Sequence, residues 1–367
     1  MKILRNDRCW TMLSFAFASL LCHVCAPNGF AQQTQTNAAF SLGKDLSANE
    51  SVPREIREMY DSGLQFLQRT QSDNGSWRGG EAGPGTTGLA VLALLASGED
   101  PNYGPYTVAI RKALQSILRS QDIRTGYLGP SMYHHGFATL ALAEAYGSVD
   151  ESQLFIGEDT TSRITIRSLG ESLELAVRCA VTSQKKNPLH AWRYSPDAKD
   201  ADTSVSGAVL MGLLAARNAG IEVPDSSIDQ AITYFVSMSS TSGAVGYTSS
   251  LEGFGDSMAR SSIATLVFSI AKRRDVATYT ASLNKISSDL ESIDSQWPEY
   301  TRYYRAQALY QGDVATWEKW NRILVRRLKE LQATDGSFKG SMGVTNDTSM
   351  ALLALALNYK LLPIYER

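Results

Sequence analysis

The run Val205 to Ala216 constrains the fold more than any other stretch of this chain. It is apolar on nearly all sides at helical periodicity, and a helix that is apolar all round has to be enclosed by protein on every side. The run is therefore read as an inner helix. Ahead of it stand Trp192 in a turn and an acidic hinge ending in Asp202-Thr203-Ser204. Side-chain oxygens of these types take up the free N–H groups of a first helical turn.

The same sequence of parts recurs along the chain. REIREMYDSGLQFLQRTQ places Ile56, Met59, Tyr60, Leu64 and Leu67 on one stripe, as in an amphipathic helix with one face in water. Gln71, Asn74-Gly75, Trp77 and a glycine-rich turn follow, then Thr86-Thr87-Gly88 and the apolar LAVLALLAS. A second unit runs from Val108 through Gln121, Gly126 and Tyr127 to Tyr133-His134-His135 and FATLALAEAY. The third has Leu169 to Thr182 and Gln184 ahead of Trp192. The fourth has Ile228 to Met238, Gly246-Tyr247 and Gly255-Asp256-Ser257 before IATLVFSIA. A fifth, least regular, has Leu283 to Ile293, Gln296-Trp297 and an aromatic, charged inner segment from Tyr300 to Tyr310. The sixth has Trp317 to Leu331, Gln332, Gly336, Phe338 and Asp347-Thr348-Ser349 before MALLALALNY. In three turns a Gln precedes an aromatic by the same spacing: Gln71 and Trp77, Gln121 and Tyr127, Gln332 and Phe338. Such repeats signal stacked helix pairs. Pairs of one wholly apolar and one amphipathic helix are satisfied by two concentric rings, the apolar helices inside and the amphipathic ones facing water.

These Gln, Gly and aromatic turns, with the units around them, resemble the repeats of the squalene cyclase and protein prenyltransferase superfamily. The resemblance covers about Val52 to Arg367 and implies an all-α fold, an (α/α)6 toroid with a cavity inside its inner ring. Departures accompany it. The acidic motif of the cyclases is matched only by Asp200-Ala201-Asp202-Thr203, one carboxylate short. The zinc site of the prenyltransferases needs Asp, Cys and His, and Cys179 falls in an outer helix among aliphatics, as a buried thiol. No metal or cofactor is therefore expected.

Parallel inner helices would bring their N-termini to one mouth of the cavity, gathering Asp202, Asp256, Asp347 and the His134-His135 pair. Two readings apply to the aspartates. Asp202, supported by Asp200, is a general acid, or all three are helix caps. A cap position favours the charged carboxylate, whereas an acid needs burial or a neighbouring charge. Of two consecutive histidines, one faces the cavity; His190 lies near the Asp200 loop. In the fifth unit Tyr300, Arg302, Tyr303, Tyr304 and Arg305 occupy an inner position with Arg260 beside them, suited to an anionic ligand or to salt bridges with Asp202 or Asp256. The turn aromatics, Trp297 and Tyr247 included, are read as clamps between units.

The net charge of −2, with both signs interspersed, gives no reason to expect a nucleic-acid partner. Residues 1–31 have a basic start, an apolar stretch from Trp10 to Cys25 and a small-residue exit at Ala31, the layout of a signal peptide. The alternative is an uncleaved anchor, the one route to membrane contact. Residues 32–52 read as a polar, disordered tether. Export to the periplasm or beyond follows. With the resemblance, two functions are expected: a non-catalytic squalene cyclase/prenyltransferase-like toroid that holds a small hydrophobic or anionic ligand or a protein partner, or a terpenoid-cyclase-like enzyme using Asp202 as acid on an isoprenoid.

Overall fold

A computed structural model describes residues 52–78, 82–155, 167–248, 257–362 and 364. The expected signal segment, nearly all of the tether, and Asp256 lie outside the described residues. Thirteen helices are found among those described, α1 Arg54–Thr70, α2 Pro84–Leu95, α3 Thr107–Ser120, α4 Met132–Ala145, α5 Glu151–Leu154, α6 Leu169–Lys186 and α7 Thr203–Asn218 in the first half. The second half holds α8 Asp225–Ser237, α9 Met258–Ile270, α10 Ala277–Ser288, α11 Pro298–Gly312, α12 Val314–Leu331 and α13 Val344–Ala356.

The wholly apolar runs become an inner ring. In α2 every residue from Pro84 to Leu94 is buried, whereas α1 buries only the stripe that includes Ile56, Tyr60, Leu64 and Leu67. Around the ring α2 packs on α4, α4 on α7, α7 on α9, α9 on α11, α11 on α13, and α13 returns to α2. The amphipathic α1, α3, α6, α8, α10 and α12 lie outside. The fold is the expected helical toroid.

The recurrent glutamines hold neighbouring hairpins together. Gln71 Nε2 donates to Gly75 O at 3.0 Å within its own turn and to Ala109 O at 2.8 Å in the next outer helix. Gln121 makes the same pair of bonds to Gly126 O and Ser172 O, and Gln184 to His190 O and Ser227 O. Gln332 completes the circle with Gly336 O and, at 2.8 Å, Met59 O of α1. The turns pack so tightly that a Cβ on Gly336 would lie 2.1 Å from Ser62 O, at a φ of +86° that side chains disfavour. Trp77 and Trp192, fully buried, donate from Nε1 to Leu67 O and Ala180 O of their own outer helices.

Two hairpins depart from the rule. The fourth has no such Gln and relies on Gly243, in the same tight relation to Ala281 O, with Ser261 Oγ donating to Gly243 O. In the fifth, the buried Arg305 donates to Ile286 O, Asp289 O and Ser292 O, and lies over the Trp320 ring. Arg305 is thus a structural tie and is not exposed to any ligand. Burial lowers its pKa only to about 10, so it stays charged at neutral pH.

Asp347 does not precede its helix as expected. Gly343, at φ +92°, sets the start at Val344, and Asp347 sits inside the first turn with its carboxylate accepting from Gly340 N.

The ring-closing turn gives a direct test. Gly336→Ala combines a disfavoured φ with a clash against α1, whereas Gly147→Ala has a similar φ and open space around it. In urea unfolding, Gly147→Ala is expected to cost about 1 kcal/mol and Gly336→Ala at least about 2–3 kcal/mol.

Candidate functional site

A cavity of about 610 Å³ opens at one end of the inner ring. Every inner helix gives it residues from its first turns: Gly85, Thr86 and Leu89 of α2, Tyr133, His134 and Phe137 of α4, Ser204 of α7, Ala259 and Arg260 of α9, Tyr300 of α11 and Asn346 of α13. All six lining helices therefore begin at this mouth. Tyr194, Tyr247, Ser257, Trp297, Ser341 and Met342 complete the wall.

The wall is built of rings and hydroxyls. Tyr133 and Tyr300 join their phenols at 2.5 Å across the ring, and the Tyr300 ring packs edge-on against Tyr304 at 4.8 Å. Burial raises the pKa of both joined phenols far above the ordinary value, so they act as neutral donors and acceptors. Tyr194 and Tyr247 share a hydroxyl bond of 2.8 Å, with the Arg193 guanidinium 5.0 and 5.2 Å from their ring centres. Trp297 is 41% exposed, so the fifth turn aromatic is no buried clamp. Tyr247 likewise faces the cavity.

The residues singled out from the sequence divide. His134 lines the cavity, its Nδ1 accepting from Gly85 N at 3.1 Å. His135 points away: Nδ1 accepts from Leu128 N, Nε2 lies 3.0 Å from Ala176 O, and burial lowers its pKa to about 4, leaving a neutral core ring. Arg260 is in the wall, with Nε donating to Val245 O at 2.8 Å. Asp294 influences its charge, while that carboxylate accepts from Ser257 Oγ and the N–H groups of Met258 and Ala259 at the start of α9. Tyr300 is in the wall; Tyr304 lies one layer below it. Arg302 turns outward to pair with Glu299 and borders a separate small groove. His190 is exposed and serves its turn through its carbonyl.

Asp202 is fully buried beneath Ser204 and does not reach the cavity wall. Its Oδ1 accepts from Val205 N at 2.7 Å, as a helix cap, and its Oδ2 pairs with Arg193 Nη1 at 3.2 Å. Burial nevertheless raises its pKa to about 6, outweighing the Val205 N–H and Arg193. Asp200 stays exposed and meets the same arginine at 3.5 Å.

One carboxyl that the sequence did not reveal is Glu299, in the first turn of α11 beside Tyr300. It is 2% exposed; one oxygen meets Arg302, and Oε2 is buried without a hydrogen-bond partner. Burial raises its pKa to about 7, opposed by Arg302 and reinforced by Asp347. An acidic residue in a first helical turn has an ordinary explanation in the helix dipole, and only the packing of α11 against α13 shows otherwise.

No protein-family model and no curated protein matches this sequence. Solved structures do share its fold. The α-1,6-mannanase GH76A of Salegentibacter sp. HEL1_6 superposes with a TM-score of 0.61 at 10% identity, over 82% of this chain and 98% of that one. An inactive variant of the mannanase in complex with α-1,6-mannotriose gives 0.62 at 11% identity over the same shares. A further solved glycosidase, in a point-substituted form, reaches 0.50 at 12% identity over 84% of this chain and 98% of that one. A type II terpene cyclase from Scytonema reaches only 0.30. The toroid is shared. Of the expected squalene cyclase and prenyltransferase likeness the helical toroid stands, while the expected functions, an enzyme on isoprenoids or a non-catalytic prenyltransferase-like ring, are overturned, because the well-superposing structures named here are glycosidases. The physical reason is that the Gln and Gly turns bond and pack backbone between hairpins, and so speak for the ring and not for its chemistry. In the inactive mannanase two consecutive aspartates are replaced; this sequence has no two consecutive aspartates.

The raised pKa of Glu299 has a thermodynamic signature. Its unfolded carboxyl titrates near 4.5 and its folded one near 7, so across that window the folded chain holds a proton the unfolded chain releases. Stability should fall as pH rises through it. Glu299→Gln removes the effect: its melting temperature is expected to match the parent near pH 4 and to exceed it increasingly up to about pH 7, by calorimetry.

Proposed function

We propose that this chain is a glycoside hydrolase that takes a sugar chain into the cavity at the mouth of its inner ring. The observation that carries this reading is the wall itself. Sugar rings offer C–H faces that lie against aromatic rings and hydroxyls that need hydrogen-bond partners. Tyr133, Tyr194, Tyr247, Tyr300, Phe137 and Trp297 supply the former, and Ser204, Thr86, Asn346 and the phenols the latter. The fold likeness to α-1,6-mannanase and other glycosidases supports the same class. Export, taken from residues 1–31, would bring the chain to glycans outside the cytoplasm.

For the acid we assign Glu299 in place of Asp202. Both oxygens of Asp202 are committed, to a helix N–H and to Arg193. Glu299 has one oxygen unengaged and a pKa near 7, which keeps a transferable proton at neutral pH. Its proton would pass to the bridging oxygen as the C1–O bond breaks; water adds to the anomeric carbon, and the proton it loses restores Glu299. Glu299, like Asp202, is not part of the cavity lining, so a substrate would reach it only by displacing the side chains that cover it, Tyr300 among its neighbours.

The test is release of reducing ends from α-mannan and from a panel of neutral and acidic polysaccharides. Glu299→Gln is expected to lower kcat by about 100-fold or more, and Asp202→Asn to act mainly through stability. No release from any polysaccharide, or equal turnover by Glu299→Gln, would refute the assignment.

A further inference from the structure

Six helices set in a ring enclose a central channel, and the inner side chains decide whether it runs through. Here it is crossed. α4 and α11 stand three places apart in either direction round the ring, so contacts between them span its full diameter. Two layers of such contacts are present. In the first, the phenols of Tyr133 and Tyr300 meet at 2.5 Å with their rings edge-on. One turn further in, Phe137 meets Tyr303 edge-on at 6.4 Å between ring centres. Beyond them the chain that leaves α13 crosses the far ends of α2 and α4. Leu361 lies against Gly98, just past α2, and Ile364 N donates to Glu144 Oε2 in the last turn of α4. Tyr359, Leu362 and Ile364 are buried there. The cavity is therefore a cup, walled by all six inner helices, floored by aromatic rings and entered from the mouth.

Resting on the glycan reading above, we infer that this cup takes a glycan by its end: the substrate is a chain terminus, from which short units are removed, and not the interior of a polymer. To cut within a chain, an enzyme has to let the polymer leave its site on both sides of the broken bond. A cleft or a tunnel allows that. A cup of about 610 Å³ with a crossed floor holds a terminus and the sugar rings directly behind it. Where an entering sugar pushes Tyr300 aside to reach Glu299, the layer of Phe137 and Tyr303 still lies beneath.

Two measurements on the whole protein test this, with α-1,6-mannan as the first probe and then any other polysaccharide of the panel that is cut or bound. Cleavage is expected to release mono- and disaccharides from the outset, with solution viscosity nearly unchanged while reducing ends accumulate. Calorimetric titration of Glu299→Gln, or of the parent where no cleavage occurs, is expected to give one bound protein per chain, however long the chain. Phe137→Ala, which hollows the floor, should lengthen the released units; where it fails to fold, the parent's product pattern decides. An early collapse of viscosity with a ladder of long products, or several proteins bound along one chain, overturns the inference and leaves the glycan reading standing. Absence of both cleavage and binding overturns both.

Discussion

The closure of this ring depends, at four of its six hairpins, on a side-chain amide that bonds two carbonyls, one in its own turn and one in the next outer helix. Gln71, Gln121, Gln184 and Gln332 each make that pair. The contact is directional where apolar packing is not, so it fixes the height of each hairpin against its neighbour as well as its distance. Equal heights put the inner helices' first turns at a common level, and the cavity is the space those turns leave. Where the glutamine is missing, Gly243 lets its turn approach Ala281 O of the next outer helix closely, and Arg305 ties its own outer helix to its turn while lying over Trp320 of the next.

Electrostatics at the mouth is decided by burial. A cap position draws a carboxyl towards ionisation, and Asp202 has both a helix N–H and an arginine to help it; loss of water still wins, and its pKa rises. Glu299 feels the same loss with less compensation and a neighbouring Asp347 besides. Two carboxyls at the starts of inner helices are thereby left in different states, one tied to a helix N–H and to Arg193, the other buried with one oxygen on Arg302 and the second without a partner.

The architecture was legible in the sequence because it rests on local regularities: wholly apolar runs, amphipathic stripes and a glutamine at fixed distance from an aromatic. The site was legible in part. That Arg260, Tyr300 and His134 would share a mouth follows from parallel inner helices, and that only one of His134 and His135 would face it follows from helical geometry. The rest depended on details no repeat encodes. Gly343 starts α13 well before Asp347, which turns an expected cap into an in-helix carboxylate. Arg302 follows the far side of α11 to Glu299. Trp297 occupies a clamp position in sequence and a rim position in space, since Arg305 already ties its hairpin. The functional side of the familial reading failed for a related reason: the turns that carried it describe how helical hairpins are joined, whatever reaction takes place inside.

The bond from Gln332 to Met59 joins residues 273 positions apart. A chain emerging from the ribosome can stack its first five hairpins in order, but their two outermost flanks stay uncovered until the last turn arrives. Ring completion is thus a late, single event in biosynthesis, and the unfinished arc presents adhesive edges at both ends, the circumstance in which a holding chaperone or a swapped partner would find its opening.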